Sequence, residues 1–255
     1  MPISETEPAG RAHRTMPDQR LLRLLARLSA DDGQPTGTTR LCVACAAVTE
    51  MTGAGIMLIA DDRPRGSVCT TDAVSALIED LQFTLGEGPC VDAHREQRPV
   101  VEPDLANPDV RRWASFTPPV LASGVRAVFG FPISVGDVRV GALNLYRDRP
   151  GPLTDDQRAD AVAIAGIAAR AIFEMQADAE PGVLGAALEV GTNFQFVVHQ
   201  AAGMVSVQLG VGVAEATLRL RALAFSTGRL VADVARDVVA RRLRFDPSDG
   251  EPVGT

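Results

Sequence analysis

Three runs decide the fold of the C-terminal part: Val197-Val-His-Gln-Ala-Ala-Gly-Met204, Val213-Ala-Glu-Ala-Thr-Leu-Arg-Leu-Arg-Ala-Leu-Ala-Phe225 and Val231-Ala-Asp-Val-Ala-Arg-Asp-Val-Val-Ala-Arg-Arg-Leu243. In the first, Val197, Val198, Met204, Val205 and Leu209 recur at helical spacing before Gly210 and Gly212. Ala216, Leu220, Leu223 and Ala224 do so in the second, and Leu230, Val231, Val234, Val238 and Val239 in the third, after Gly228. Short amphipathic helices joined by glycine-bearing turns bury their apolar faces only against each other. A three-helix bundle is therefore expected over 193–245, with arginine on its outer faces.

Gln200-Ala-Ala-Gly-Met204, Ala216-Thr-Leu-Arg-Leu-Arg-Ala-Leu-Ala224, and Arg229-Leu230 followed by Val234-Ala235 resemble the ANTAR domain, the RNA-binding module of bacterial transcription antiterminators. The resemblance covers roughly 196–244. It departs from the usual pattern at Ala202, where the family has Lys, and at Thr217, where an aromatic is common. A cation at 202 would be a natural phosphate or base contact. The resemblance implies RNA contacts from Gln200, Gly203, Arg219, Arg221 and Arg229. Amide and guanidinium planes suit unstacked bases in hairpin loops, and Gly203 lets a base approach closely. The alternative for Arg219 and Arg221 is surface pairing with Glu215 or Asp233.

Charge is distributed to match. The 255-residue chain carries a net −7, yet 190–245 holds seven Arg against Glu215, Asp233 and Asp237, a balance of +4 that leaves −11 elsewhere. Bulk coating of nucleic acid is thereby disfavoured, and any polyanion site is local. All 25 basic residues are Arg. No apolar run reaches the roughly 18 residues of a membrane span, and no basic-then-apolar leader opens the chain. With four Cys and no secretory signal, reduced thiols in a cytoplasm are expected.

The first 17 residues are polar and expected to be disordered, and 18–30 form an amphipathic helix with a Leu21, Leu24, Leu25, Leu28 stripe. A helix follows over 39–51, then a strand at 55–60 with a hairpin partner at 66–70, and a helix over 72–80. Leu85-Gly-Glu-Gly-Pro-Cys90 reads as a loop. Val128–Val135 and Val138–Tyr146 flank Gly136-Asp137, a Gly-first hairpin turn, and the second strand is apolar on both faces, as a covered central strand is. Thr154-Asp-Asp-Gln157 is a capping-box start for a helix to about Met175.

This order of elements is α+β around an antiparallel sheet. Leu85-Gly-Glu-Gly-Pro-Cys90, Arg98-Pro-Val-Val-Glu-Pro-Asp104, Gly124-Val-Arg-Ala-Val-Phe-Gly-Phe-Pro132 and Gly141-Ala-Leu-Asn-Leu-Tyr146 resemble the GAF domain, a widespread sensor fold, over about 39–173. The expected organisation is a disordered N-terminus (1–17), a GAF-like sensor with its leading helix (18–178), a linker (179–192), an ANTAR-like bundle (193–245) and a disordered tail (246–255).

No catalytic constellation stands out. Cys42-Val-Ala-Cys45 lies on a helix and reads as core, and three His (His13, His94, His199) do not complete a metal site, so neither metal nor cofactor is expected. Phe83, Cys90, Trp113, Phe116 and Phe129 are either core or the wall of a small-molecule pocket. A structural Cys90 competes with a redox-active one, as used by GAF-fold methionine sulfoxide reductases. The resemblances together imply a homodimeric antitermination regulator that senses an unidentified small molecule, binds nascent hairpin RNA and is not an enzyme. The alternatives are an interaction module that has lost RNA binding and a Cys-dependent reductase.

Overall fold

The computed structural model describes residues 38–60, 62–177, 193–246 and 252–254. The expectations for the N-terminal tail, the helix at 18–30 and the linker at 179–192 lie outside the described residues. Helix α1 (Thr38–Thr49) leads into β1 (Gly53–Ala60) and β2 (Arg63–Thr70), followed by α2 (Ala73–Leu85), α3 (Pro89–Glu96), β3 (Val100–Glu102) and α4 (Thr117–Ala122). Strands β4 (Ala127–Val135) and β5 (Val138–Arg147) precede α5 (Asp155–Ala177). The C-terminal helices are α6 (Asn193–Leu209), α7 (Val213–Ser226) and α8 (Val231–Val239), and β6 (Leu243–Phe245) pairs with β7 (Pro252–Gly254).

The five-stranded sheet has the order β2-β1-β5-β4-β3, antiparallel throughout. The doubly apolar β5 is central, as its pattern requires. The β4–β5 hairpin closes at Val135↔Val138 around Gly136, whose φ is 57°. The capping box of α5 forms reciprocally: Gln157 N–H donates to Thr154 Oγ1 and Thr154 N–H to Gln157 Oε1, both at 3.1 Å.

Each face of the sheet has its own core. Ala127, Phe129, Phe131 and Ile133 of β4 join Leu143 and Leu145 of β5 under α1 and α5. Met57, Val128, Ala142 and Tyr146 face the other way, towards α2, α3 and the 105–125 segment. A buried aromatic or aliphatic side chain of this kind contributes roughly 1.5–3 kcal/mol by leaving water. The second core runs on without a break into the C-terminal helices, taking in Val198, Ala201, Leu220, Val231 and Val234 beside Ile78, Leu81 and Phe83.

Four expectations are corrected. Cys90 lies in the first turn of α3, not on a loop: Pro89 supplies the pre-set φ of a first helical residue, and Gly86 (φ 67°) and Gly88 (φ 134°) make the turn before it. The third bundle helix stops at Val239 because Arg241 adopts φ 60°. Arg241 N–H then returns to Val238 O and Arg242 N–H to Asp237 O, a Schellman ending. Residues 252–254, assigned to a tail, form β7. The thiols are not all reduced, since α1 packs over β2 and brings Cys42 and Cys69 to a Cα separation of 6.0 Å, where they form a disulfide.

Candidate functional site

Of the five residues expected to wall a sensor pocket, four converge. Phe83 on α2, Cys90 on α3, Trp113 and Phe116 all belong to the core between the sheet and α2–α3. Phe129 does not. It is buried on the opposite face, under α1 and α5, with the Arg147 guanidinium 5.3 Å from its ring centre. Because β4 is buried on both faces, apolarity alone could not assign the side. On the α3 side, Gly130 meets the helix backbone so closely that a Cβ there would lie 2.2 Å from the Pro89 carbonyl oxygen.

The centre of this face holds polar groups that sequence reasoning missed. Glu79 is fully buried with neither carboxylate oxygen hydrogen-bonded, and burial pushes its carboxyl up to about 8. It covers Gly55, where a Cβ would stand 2.6 Å from Glu79 Oε1, and Gly55 pairs across the sheet with Asn144, whose side-chain amide is buried and unpartnered. Gln82 Oε1 accepts Cys90 N–H at 2.7 Å. Burial first, then Glu79, raise the Cys90 thiol well above the usual range against the lowering influence of Gln82, an environment opposed to thiolate chemistry. Cys45 is likewise buried and its thiol raised. The readable signal was the length of α2. Extended to Leu85, the helix puts acids beside Ile78 and Leu81, where an exposed helix would not.

Trp113 sits at the outer edge of this core in a backbone conformation that bulky side chains avoid, φ 56°, at a cost of order 1–3 kcal/mol. Three contacts hold it there: its Nε1–H donates to Asp92 Oδ2 at 2.8 Å, its ring meets Phe116 edge-on at 5.8 Å, and the Arg112 guanidinium lies 5.0 Å from its centre. Outside it opens a cleft of about 560 Å3, with Leu105, Pro108, Arg111 and Arg112 in its walls.

The five residues expected to touch RNA do not form one surface. Gln200 and Gly203, three apart on α6, share an accessible face. Arg219 is exposed and pairs with Glu215 at 3.1 Å along α7, as the surface-pairing alternative had it. Arg229 is exposed and bonds Asp237 at 2.5 Å, and that carboxylate also receives Arg242. Arg221, two residues from Arg219, points the other way. Its guanidinium stacks 4.1 Å from the Phe83 ring centre and donates to the Pro64 carbonyl at 2.8 Å. Burial lowers its pKa to about 10, with Arg63 and Arg65 adding to the effect. In this arrangement Arg221 is occupied by the sensor rather than open to RNA. Ala202 is also fully buried, so the position where the ANTAR pattern carries Lys faces the core here.

The same contact joins the two parts elsewhere. Val231 N–H at the start of α8 donates to Thr84 Oγ1 of α2 at 3.3 Å. Asp80, nearly buried beside them, is pushed up to about 7 by burial and then by Asp233, with Arg236 pulling the other way.

A family model described as GAF domain matches residues 41–172, from α1 to the last turns of α5. The chain belongs to the GAF domain family. GAF domains are signal-sensing folds in many regulators. The GAF domain match ends before α6, so the C-terminal helices lie outside it. Among solved structures, the GAF domain of a phosphoenolpyruvate-protein phosphotransferase from Coxiella burnetii is 14% identical with a TM-score of 0.47, covering 63% of this chain and 95% of that one. The corresponding domain from Acinetobacter is 12% identical, with TM-score 0.47 and coverage of 64% and 96%. A type II free methionine-R-sulfoxide reductase from Thermoplasma acidophilum is 17% identical, with TM-score 0.39 and coverage of 54% and 92%. No curated protein matches the chain. Among the described residues, no single helix is long and apolar enough to cross a membrane, and no three His, Cys, Asp or Glu side chains are grouped to hold a metal.

Proposed function

We propose that the chain is a signal-responsive antitermination regulator in which the GAF domain, on binding a small molecule, controls RNA binding by the C-terminal bundle, the active form being a homodimer. The observation that carries this reading is the seating of α7 and α8 on sensor helix α2 and strand β2 through Arg221, Phe83, Pro64 and Thr84. A signal that shifts α2 moves the bundle with it, and release of Arg221 adds a cation to the faces that carry Gln200, Arg219 and Arg229. The +4 balance of 190–245 and the sequence blocks of the ANTAR resemblance support RNA as the partner.

The test is binding of the full chain to a panel of two-hairpin leader RNAs at two salt concentrations. Expected is specific binding that weakens with salt and loses affinity in Arg219→Ala, with Arg149→Ala on the GAF domain as the control. Equal effects of the two substitutions, or no binding, would refute the RNA site. A protein-interaction module is the second reading, favoured by Leu218 and Phe225, large apolar side chains left exposed seven residues apart on α7.

A further inference from the structure

On the inner face of the GAF domain Phe116 and Cys90 are fully buried. An open volume lies outside Trp113. Its size, about 560 Å3, is that of a small-molecule site. Leu105, Pro108 and Leu121 make it apolar, and Arg111 and Arg112 make it cationic.

The acids nearby are held by backbone groups or face solvent. Glu87, which lines the cleft, is tied to the loop backbone, its Oε1 accepting Ser115 N–H at 2.8 Å and Phe116 N–H at 2.9 Å. Asp104 is engaged by Ala106 N–H and the Asn107 amide. Glu102, the acid that Arg112 acts on, is raised by burial against the lowering influence of Asp104 N–H and Arg112, and its Oε1 accepts Asp104 N–H at 3.4 Å. Asp109 itself is exposed to solvent. Arg112 Nε is buried without a partner, and Arg111 is exposed at the rim. The Trp113 ring, fixed by Asp92 and Phe116, is a rigid wall beside two guanidiniums.

We propose that this cleft is the signal site of the sensor and that its ligand is a small organic anion, a planar carboxylate on an apolar ring-sized body. A guanidinium fork matches a carboxylate with two parallel hydrogen bonds, and the apolar walls take the body. The inference rests on the sensor reading and narrows it to one place and one ligand class.

Trp113 is the single Trp of the chain, so its emission reports on this cleft. The full chain is titrated with benzoate and with its neutral counterpart benzamide. Benzoate is expected to give a saturable change, with benzamide about tenfold weaker, the ratio for one lost charge-assisted contact. Arg112→Gln is expected to weaken benzoate about tenfold. Arg111→Gln, which alters an exposed side chain and leaves packing intact, is expected to weaken it in the same direction. Equal responses to the two probes, or benzoate binding indifferent to both substitutions, would overturn the anion class while leaving the sensor reading standing with a neutral ligand. No response to either probe would overturn the site, and the sensor reading would then rest on ligand-dependent RNA binding alone.

Discussion

Glu79→Gln should stabilise this protein, and the gain should depend on pH in a defined way. The Glu79 carboxyl is fully buried, lacks any hydrogen-bond partner and is raised from 4.5 to about 8 by desolvation. Below pH 4.5 the group is protonated in the folded and unfolded chains alike, and it exacts no penalty. As pH rises, the unfolded chain releases the proton while the folded chain must keep it, so folding weakens by about 1.4 kcal/mol per pH unit. By pH 7 the loss reaches roughly 3 kcal/mol, and it levels off only above about pH 8. The near-isosteric amide does not titrate. Urea unfolding of wild type and variant across pH 4.5 to 8, followed by circular dichroism, isolates this one group because every other titration is common to both. The stability difference in favour of the variant should grow by roughly 3 kcal/mol between pH 4.5 and 7. A difference that stays constant with pH, or shrinks as pH rises, would refute the placement of an uncompensated carboxyl at the centre of the domain.

Arg221→Ala removes both the stack on Phe83 and the hydrogen bond to Pro64, together worth roughly 2–3 kcal/mol, and should speed amide exchange at Val231 where α8 is pinned to Thr84; unchanged exchange would remove Arg221 from the seating of the bundle. Gly130→Ala drives a methyl into the Pro89 carbonyl, backbone against backbone, and should lower stability by about 3 kcal/mol in thermal unfolding, whereas an unaltered midpoint would contradict the close approach of α3 to β4.

What the sequence made legible were features written in local chemistry. A Gly-first turn between apolar runs fixed the β4–β5 hairpin, and the Thr154–Gln157 spacing fixed the start of α5, because both are decided within a few residues. The helical periodicity of 213–225 likewise placed α7, which ends one residue further on at Ser226. What stayed hidden depends on packing between distant segments. Phe129 could face either way in a strand covered on both sides. The Cys42–Cys69 link spans 27 residues and follows from how α1 lies over β2. Helix α3 has only eight residues and opens with Gly-Pro, so it has the composition of a turn. Arg221 is a surface residue by type, and only the neighbouring Phe83 and Pro64 give it a buried place. The pocket residues split for the same reason. Local pattern told which side chains were apolar, not which of them would meet.

The unbroken apolar cluster between the sensor face and α6–α8 bears on how such proteins can be recombined. A boundary drawn in the chain near residue 178 separates two stretches of sequence but not two reservoirs of folding energy. Excised alone, the bundle would present to water the alanine and valine surface that α2 now covers. Grafted onto a foreign sensor, it would need a host helix carrying equivalents of Phe83, Thr84 and Asp80. Shuffling of these C-terminal helices is therefore constrained by one helix of the GAF domain, and α2 is the element that must be inherited with them.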